Sequence, residues 1–287
     1  MMASLPLKRS VQVFLKHIGL YQRLKASRVY DFYWSFVDPH WLADRAKEVE
    51  FYRTTLSGFQ KGNVIFDIGA NDGCKTDVFL RLGAKVVAVE PDDTNIKILK
   101  EKFLGNRIFP KRVTVEGKAV SDRGGEMTMW IDAPGSALNT LNPKWADTLR
   151  NNSSRFGQRL DFAQRKTVLT TTLEKLISEH GMPFYIKIDV EGHEQNALRG
   201  LNQSVPYISF EVNLPELREE GLKCIRLLTE LNSEGEFNYV ADCRRGLACE
   251  SWRPSNEFVR VFEQCGEPAV EIFWRTPERF QFNSPRK

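Results

Sequence analysis

A strand, a glycine-bearing loop, a helix, a second strand and an acid follow one another between Asn63 and Asp92. The apolar run at 64–66 is too short for a stable helix and rich in strand formers, which predicts a buried strand that ends at Asp67. The second apolar run, at 86–89, ends in Glu90. This order predicts the first half of a nucleotide-binding βαβ unit in a doubly wound α/β fold.

The loop between the two strands contains Gly69, Asn71 and Gly73, and the helix after it closes at Gly83. Glycines let the backbone approach a ligand closely, and the start of the helix offers free N–H groups. A carboxylate about twenty residues after the first glycine, here Glu90, is suited to accept hydrogen bonds from ribose hydroxyls. The loop therefore predicts a site for a ligand that carries adenosine.

Asn71 distinguishes between the nucleotide ligands. It stands where a dinucleotide-binding loop has its second glycine, and a pyrophosphate needs the backbone bare at that point. S-adenosylmethionine has no phosphate, and Asp67 is placed to hold its ammonium group. The loop thus favours S-adenosylmethionine over NAD(P), with an ordinary βα turn in a nucleotide-free protein as the alternative.

Composition limits the other functions open to this chain of 287 residues. A net charge of +4 is too mild to indicate nucleic-acid binding, and no apolar run reaches the length of a membrane span. The five cysteines are scattered without a C-x-x-C pair, which indicates neither a zinc site nor a disulfide framework. We therefore expect a reducing, cytoplasmic setting.

The first 58 residues are expected to form a helical extension. Residues 1–30 contain basic but no acidic side chains and an apolar stripe at helical spacing, and a helix is predicted at about 39–56. The stripe is expected to pack on the main domain or on a second subunit, with peripheral membrane contact or an organelle transit peptide as alternatives. A Rossmann-like domain at 59–280 and a polar tail at 281–287 complete the organisation.

The middle of the chain is predicted to return to the sheet after a helix at about 93–104. Residues 112–131 are interpreted as two strands joined by a turn, with Ser121 at the tip of the first, either beside an adenine or simply starting the turn. Residues 132–165 show little periodicity apart from a short helix capped by Asn142. We expect this segment to be a lid over the acceptor site, with a disordered excursion as the alternative.

A second polar block follows a buried strand predicted at 185–189. The strand and the residues after it supply Lys187, Asp189, Glu191 and His193, and the next strand ends near Glu211. Ligands of open α/β sheets bind beyond the carboxyl ends of the strands. These side chains are therefore expected to enter the same crevice as Asp67 and Glu90.

Five sequence blocks together resemble the FkbM family of S-adenosylmethionine-dependent methyltransferases: FDIGANDG (66–73), VAVEPD (87–92), AVSD (119–122), TTLEKL (171–176) and IKIDVEGHE (186–194). The resemblance implies a class I methyltransferase sheet of seven strands with the last antiparallel. It implies methyl transfer to an oxygen, commonly a hydroxyl of a sugar or natural product. The residues expected to bind the cofactor are Asp67, Gly69, Asn71, Gly73, Glu90, Pro91, Asp92, Ser121 and Asp189.

Methyl transfer to an alcohol needs a base that removes the hydroxyl proton. His193 and Asp189 are the first candidates and Glu211 is the next. Each has a structural alternative: His193 as a first-turn helix residue bonded to a neighbour, and Asp189 as a cap of the following helix. Lys187 is expected to form a salt bridge with Asp189 or Glu211.

A hard divalent ion is conceivable among Asp189, Glu191, His193 and Glu211, although nothing in their spacing requires one and no metal is assigned. Two rival functions stay open from the sequence. One is an NAD(P)-dependent oxidoreductase, which Asn71 disfavours. The other is a non-catalytic scaffold protein that works through its basic amphipathic N-terminus.

Overall fold

The computed structural model describes residues 39–108, 110–152 and 160–277. The basic segment at 1–30 and the polar tail at 281–287 lie outside the described residues, as do residues 153–159 of the expected lid. Within the described part of the chain, no helix combines the length and the apolar character that crossing a bilayer requires.

The described chain contains both helices and strands. The helices are α1 (Pro39–Thr55), α2 (Cys74–Leu82), α3 (Asp93–Lys102), α4 (Leu104–Ile108), α5 (Pro143–Asn151), α6 (Leu173–His180), α7 (Glu194–Arg199), α8 (Arg218–Leu231) and α9 (Ser255–Glu263). The strands are β1 (Val64–Ile68), β2 (Lys85–Val89), β3 (Val113–Glu116), β4 (Ala119–Val120), β5 (Gly125–Ile131), β6 (Gln164–Thr171), β7 (Tyr185–Ile188), β8 (Tyr207–Asn213), β9 (Glu236–Val240), β10 (Arg253–Pro254) and β11 (Ala269–Arg275). A short 3-10 helix, Cys243–Arg245, follows β9.

The main sheet has the strand order β10-β9-β11-β8-β7-β1-β2-β3. Five neighbouring strands are parallel, in the order β8, β7, β1, β2 and β3. Strand β11 runs antiparallel between β8 and β9. The doubly wound sheet with an antiparallel last strand is thus confirmed, and the two-residue β10 adds an eighth strand at one edge. The chain extends from β1 to β3 on one side and returns to β7 on the other, so a ligand crevice is expected at the β1–β7 junction.

Alternate residues of the central strands pack into two separate apolar layers. Phe66 and Ile68 of β1 belong to the layer formed with α5 to α9, whereas Ile65 belongs to the layer formed with α1, α2 and α3. This arrangement explains why the parallel strands are continuous apolar runs, since both faces of the sheet are covered by helices.

Helix α1 is fixed to the sheet through aromatic contacts. Tyr52 is fully buried, with its ring edge-on to Phe79 of α2 at 5.1 Å between centroids. The same ring lies 5.9 Å from Tyr185 of β7 and 6.4 Å from Phe273 of β11. Edge-to-face aromatic pairs of this kind contribute about 0.5–1.5 kcal/mol each beyond their burial. This part of the expected N-terminal extension is therefore packed into the core of the sheet domain.

The interpretation of 112–131 as two strands joined by a turn is wrong in its pairing. The first predicted strand is interrupted at Gly117: β3 stays in the main sheet, whereas β4 joins a second sheet of order β4-β6-β5. There β5 pairs antiparallel with β6, from Gly125 with Thr170 to Ile131 with Gln164. The physical reason is long-range, because a distant strand inserts between the two neighbours and hydrogen-bonds to both.

Two helix caps can be compared with the sequence: one lies at the expected residue and the other lies one residue later. Asn142 caps α5 by accepting from the N–H groups of Lys144 and Trp145, as predicted. The sequence from Thr171 to Glu174 predicts a capping box, but the cap of α6 is Thr172, one residue later, which accepts from Lys175 N. Thr171 instead pairs within β6, because its backbone is the last rung of the small sheet.

Candidate functional site

Asp67 at the end of β1 is one of the most enclosed acids of the described chain. Its side chain is 1% exposed, and its Oδ2 accepts from the hydroxyl of Thr76 at 2.5 Å. Its Oδ1 is buried without a hydrogen-bond partner. Burial raises the pKa of Asp67, and the nearby Lys187 ammonium opposes that rise. An unpartnered carboxylate oxygen of this kind fits a donor supplied by a ligand.

Glu90 at the end of β2 holds the glycine loop in place. Its two carboxylate oxygens accept from the backbone N–H groups of Asn71 and Asp92, each at 2.8 Å. Burial raises the pKa of Glu90 to about 7 against these two donors. Asp92 caps α3 by accepting from Thr94 N, and its other oxygen accepts from Asn139 of the expected lid at 3.1 Å. The glycine loop, the second strand and the lid thus share one hydrogen-bond network.

Glycine is required at two positions of the loop, for a different structural reason at each. Gly69 has φ +79°, and a Cβ there would overlap the carbonyl oxygen of Asp189 at the end of β7. Gly73 also has φ +79°, and its Cβ would overlap the rings and methyls of Phe103 and Leu99. Gly69 therefore permits close approach of two strand ends, whereas Gly73 permits packing of the loop on α3. Asn71 adopts a positive φ of 48°.

A cavity of about 260 Å³ opens at the carboxyl ends of β1 and β2. We refer to it as the cofactor cavity, and its lining includes Gly69, Asn71, Glu90, Pro91, Ser136, Ala137, Asn139, Leu141, Asp189, Glu191 and Glu211. Of the residues expected to bind the cofactor, Gly69, Asn71, Glu90, Pro91 and Asp189 are brought together here. Asp67, Gly73, Asp92 and Ser121 are not part of this lining. Four of these residues, at 136, 137, 139 and 141, belong to the segment that was expected to be a lid over the acceptor site, and they line the cofactor cavity.

Asp189, Lys187 and Glu211 form a coupled group where β7 and β8 end. Lys187 is buried and donates to Asp189 Oδ2 at 2.7 Å, which confirms the expected salt bridge. Burial alone would raise the pKa of Asp189, but Lys187 and a hydrogen bond with Glu211 lower it overall. The charge of Asp189, followed by burial, raises the pKa of Glu211 well above its ordinary value. Two carboxyls with opposite shifts are arranged to hold one proton between them.

Glu191 connects this group to the lid. It has a positive φ of 52°, and its Oε2 accepts from the indole Nε1 of Trp145 at 3.0 Å. Thr140 and Asn142 of the lid donate to the carbonyl oxygens of Glu191 and Gly192 at 2.6 and 2.7 Å. Burial, followed by the charge of Asp189, raises the pKa of Glu191 to about 8. The lid is therefore bonded directly to the acidic end of β7.

His193 does not line the cofactor cavity. It is 3% exposed at the N-cap of α7, with Nε2 3.1 Å from the Ser121 hydroxyl and Nδ1 3.2 Å from the amide of Asn196. Burial lowers the pKa of His193 to about 4, against the charge of Asp122. The structure thus pairs two sequence candidates, His193 and Ser121, with each other. Its role as a base stays a prediction.

A second cavity, of about 570 Å³, adjoins the first at Asp189 and Glu211, which line both. We refer to it as the outer cavity. Its walls come from α1, α2, the 3-10 helix and the main sheet: Asp44, Arg45, Glu48, Cys74, Lys75, Lys187, Asp189, Glu211, Val240, Ala241, Asp242, Cys243, Arg244, Ala269, Val270 and Glu271. The helical extension therefore borders this cavity, while the expected lid borders the cofactor cavity.

Asp189, Glu191 and Glu211 bring one carboxylate oxygen each within 4.8 Å of one another. This is three of the four residues considered for a metal from the sequence; the fourth, His193, turns its Nε2 toward Ser121 instead. Oxygen ligands of this type suit a hard divalent cation. Without a cation, the three carboxyls would share protons, and their titrations would be coupled.

Sequence reasoning missed the residues that line the outer cavity from distant parts of the chain. Glu271 of β11 stands directly opposite Glu211 of β8, and Asp44 and Glu48 come from α1. Glu271 lies in an ordinary apolar strand pattern, so only the antiparallel insertion of β11 reveals its position. No local signal marks α1 as a wall of the cavity.

Comparison with known proteins places this geometry in a family. Residues 67–245 match the model of the Methyltransferase FkbM domain. A span of that extent covers more than half of the chain, from the end of β1 to the 3-10 helix. No curated protein matches the sequence.

A solved structure described as a methyltransferase FkbM shares this fold. A methyltransferase FkbM from Methylobacillus flagellatus KT superposes with a TM-score of 0.50 at 13% identity, over 79% of this chain and 47% of that one. This chain therefore spans about half the length of that structure. A TehB-like SAM-dependent methyltransferase from Corynebacterium glutamicum gives a TM-score of 0.40 at 10% identity, over 80% and 87% of the two chains. A SAM-dependent O-methyltransferase from Thermotoga maritima gives 0.38 at 15% identity, over 80% and 64%.

Proposed function

Because the chain belongs to the FkbM methyltransferase family, we propose that it transfers a methyl group from S-adenosylmethionine to a hydroxyl oxygen of a sugar, glycan or natural product. One observation carries the proposal: two cavities meet at Asp189 and Glu211, at the edge of the sheet where this fold binds ligands. A two-substrate transfer needs such a junction, because the donor carbon and the acceptor oxygen must meet in line.

The cofactor cavity fits the chemistry of S-adenosylmethionine. Glu90 lines it at the end of β2, where a carboxylate accepts from ribose hydroxyls. Asp67 lies outside the lining of this cavity, but its buried Oδ1 has no hydrogen-bond partner, and we propose that it accepts from the ammonium group when the cofactor binds. Asn71 uses its N–H on Glu90, which leaves that amide unavailable to a pyrophosphate and disfavours NAD(P). When bound, the cofactor supplies a methyl carbon activated by the sulfonium.

The chain itself must orient the acceptor, exclude water and accept a proton. Glu211 is the best placed base, because it lines both cavities and its raised pKa makes its ionised form a stronger base than an ordinary carboxylate. Asp189 shares a hydrogen bond with Glu211 and is itself held by Lys187. We therefore assign Glu211 as the base and Asp189 as the residue that orients it. His193 is the weaker assignment, since it lines neither cavity.

Ligand binding separates this function from its rival. The melting temperature of the purified chain is measured with S-adenosylmethionine, with S-adenosylhomocysteine and with NAD, because a ligand that binds the folded state raises it by mass action. We expect a rise with the first two and none with NAD. A rise with NAD alone would overturn the proposal in favour of an oxidoreductase.

The acceptor is sought in cells. Extracts with and without the protein are compared by mass spectrometry for glycans, lipid-linked sugars and small metabolites that gain one methyl group. The Glu211→Gln variant serves as the matched control, since it is expected to keep the fold and lose the transfer. A methyl gain on nitrogen or carbon instead of oxygen would limit the proposal to methyl transfer in general.

A further inference from the structure

The outer cavity has the size of a small-molecule site. Its volume of about 570 Å³ lies within the roughly 300–1,000 Å³ of typical ligand pockets. Its lining includes Glu211, the proposed base, whereas the loop residues Gly69 and Asn71 line only the cofactor cavity. If methyl transfer takes place at Glu211, this cavity is the space left for the acceptor, so its lining reports the chemistry of that acceptor.

The cations of the lining are already matched by carboxylates. The ion pairs are Lys187 with Asp189, Lys75 with Glu48, Arg244 with Asp44 and Asp242, and Arg45 with Asp77. Most of these pairs join two different elements of the cavity wall. A cation that is neutralised in this way offers little net attraction to an anionic ligand.

Two further carboxyls of the lining, Glu211 and Glu271, lie directly opposite each other on β8 and β11. Directly opposed residues of an antiparallel pair project to the same face of the sheet, where like charges repel. Glu271 Oε1 accepts from the hydroxyls of Ser209 at 2.5 Å and Tyr185 at 3.2 Å, which fixes its carboxylate. The two side chains together present acceptor oxygens on the floor of the cavity.

The remaining lining has small apolar or charged side chains. Val240, Ala241, Ala269 and Val270 supply its apolar part, and among the described lining residues no side chain is aromatic. An aromatic acceptor would therefore find no ring to stack on. A ligand with several neutral hydroxyls would donate to the opposed carboxyls and accept from the paired cations.

We propose, resting on the function proposed above, that the outer cavity binds a neutral polyhydroxylated acceptor and rejects anionic ones. One hydroxyl donates to Glu271, and a neighbouring hydroxyl is thereby presented to Glu211. Glu271 is a specificity-determining residue in this scheme. Its carboxylate attracts a hydroxyl donor and repels an acceptor that carries a carboxylate or phosphate near the same position.

The test uses matched ligand pairs with the full chain. Methyl glycosides of common neutral hexoses and the methyl glycosides of the corresponding uronic acids are titrated in the presence of S-adenosylhomocysteine, together with simple phenols. Binding is followed by ligand-detected NMR and by calorimetry. We expect at least one neutral glycoside to bind about tenfold more tightly than its uronic acid, and the phenols to bind more weakly still.

Glu271→Gln is the decisive variant, because its amide oxygen still accepts from Ser209 and Tyr185 and so preserves the fold. Loss of the charge is expected to weaken the binding of the neutral glycoside about tenfold. The ratio between its affinity and that of the uronic acid is expected to fall. Glu267→Gln is the control, since it removes the same charge from an exposed position outside the lining. If Glu271 contributed to stability alone, Glu271→Gln would leave the ratio of the affinities for the neutral glycoside and the uronic acid unchanged.

Failure of the two proposals is distinguishable in the same samples. Absence of S-adenosylhomocysteine binding would contradict the proposed function itself. Binding of S-adenosylhomocysteine without any neutral glycoside, tighter binding of uronic acids or phenols, or an unchanged affinity ratio in Glu271→Gln would each overturn the assignment of the outer cavity to a neutral polyol.

Discussion

Glu211 and Asp189 share a hydrogen bond where two adjacent parallel strands end, and their pKa values are shifted in opposite directions. Lys187 accounts for the difference, because its buried ammonium stabilises the ionised form of Asp189. Glu211 is left as the carboxyl that takes up and releases a proton at higher pH. This relationship makes the pH dependence of turnover a direct test of the base.

Glu211→Gln is expected to lower turnover by about 10²–10⁴-fold, the usual contribution of a general base, with cofactor affinity retained within a few fold. A base must be deprotonated to act, so wild-type turnover should rise with pH through a pKa well above the ordinary 4.5 of a glutamate. The variant should lose this rising limb. Single-turnover rates from pH 5 to pH 9 provide the measurement, and an unchanged limb in Glu211→Gln would assign the base elsewhere.

His193→Gln is expected to reduce turnover less than about tenfold, in contrast to Glu211→Gln, because His193 lines neither cavity. The folded pKa of about 4 lies below the ordinary 6.5, so folding stability is lost as pH falls from about 6.5 to about 4. The variant should show less acid destabilisation over this window. Denaturant titrations at pH 4, 5 and 7 measure it. A turnover loss as large as that of Glu211→Gln would restore His193 as the base.

Glu90→Ala is expected to weaken S-adenosylhomocysteine binding at least about tenfold, since one charged acceptor and the anchor of two loop N–H groups are lost together. Asp67→Asn tests the proposed acceptor for the ammonium group of the cofactor, because the amide keeps an acceptor for Thr76 but halves the acceptor capacity. Calorimetry at constant pH compares both with Glu126→Ala, an exposed change in the small sheet. If both variants kept the wild-type affinity, the cofactor could not bind at the ends of β1 and β2 as proposed.

Glu191→Gln is expected to stabilise the fold at pH 8 and to leave it unchanged at pH 5. Glu191 has a folded pKa of about 8 against an ordinary 4.5, so the folded state binds its proton more tightly and stability falls as pH rises through this window. The neutral amide removes that cost while keeping an acceptor for Trp145. Each kcal/mol gained corresponds to about 2–4 °C in melting temperature for a domain of this size. Equal gains at both pH values would contradict this account.

The sequence predicted those features of the site that depend on neighbours along the chain. The strand–loop–helix order placed Gly69 and Glu90, and the apolar run before Asp189 marked the end of a strand. Such patterns can be recognised from neighbouring residues alone, because a parallel strand that is buried on both faces is a continuous run of apolar residues. The same reasoning predicted the first described helix at about 39–56 and the strand at 185–189, each within one residue of the observed bounds.

Features that depend on sheet order could not be predicted in this way. The pairing of β6 with both β4 and β5 joins segments separated by long stretches of chain. Likewise, Glu271 meets Glu211 only because β11 inserts antiparallel beside β8. His193 shows a third limit: its position at a helix start is local information, but the direction of its ring depends on the packing against Ser121.

Gly69 also determines which parts of the two cavities tolerate substitution. Since its missing Cβ lets the loop after β1 touch the carbonyl oxygen of Asp189, the spacing between the ends of β1 and β7 is set by a backbone contact that no side chain adjusts. The walls of the outer cavity that come from α1 and the 3-10 helix lie outside that contact. Engineering of new acceptor preferences should therefore begin at those walls, where substitutions leave the spacing of these strand ends intact.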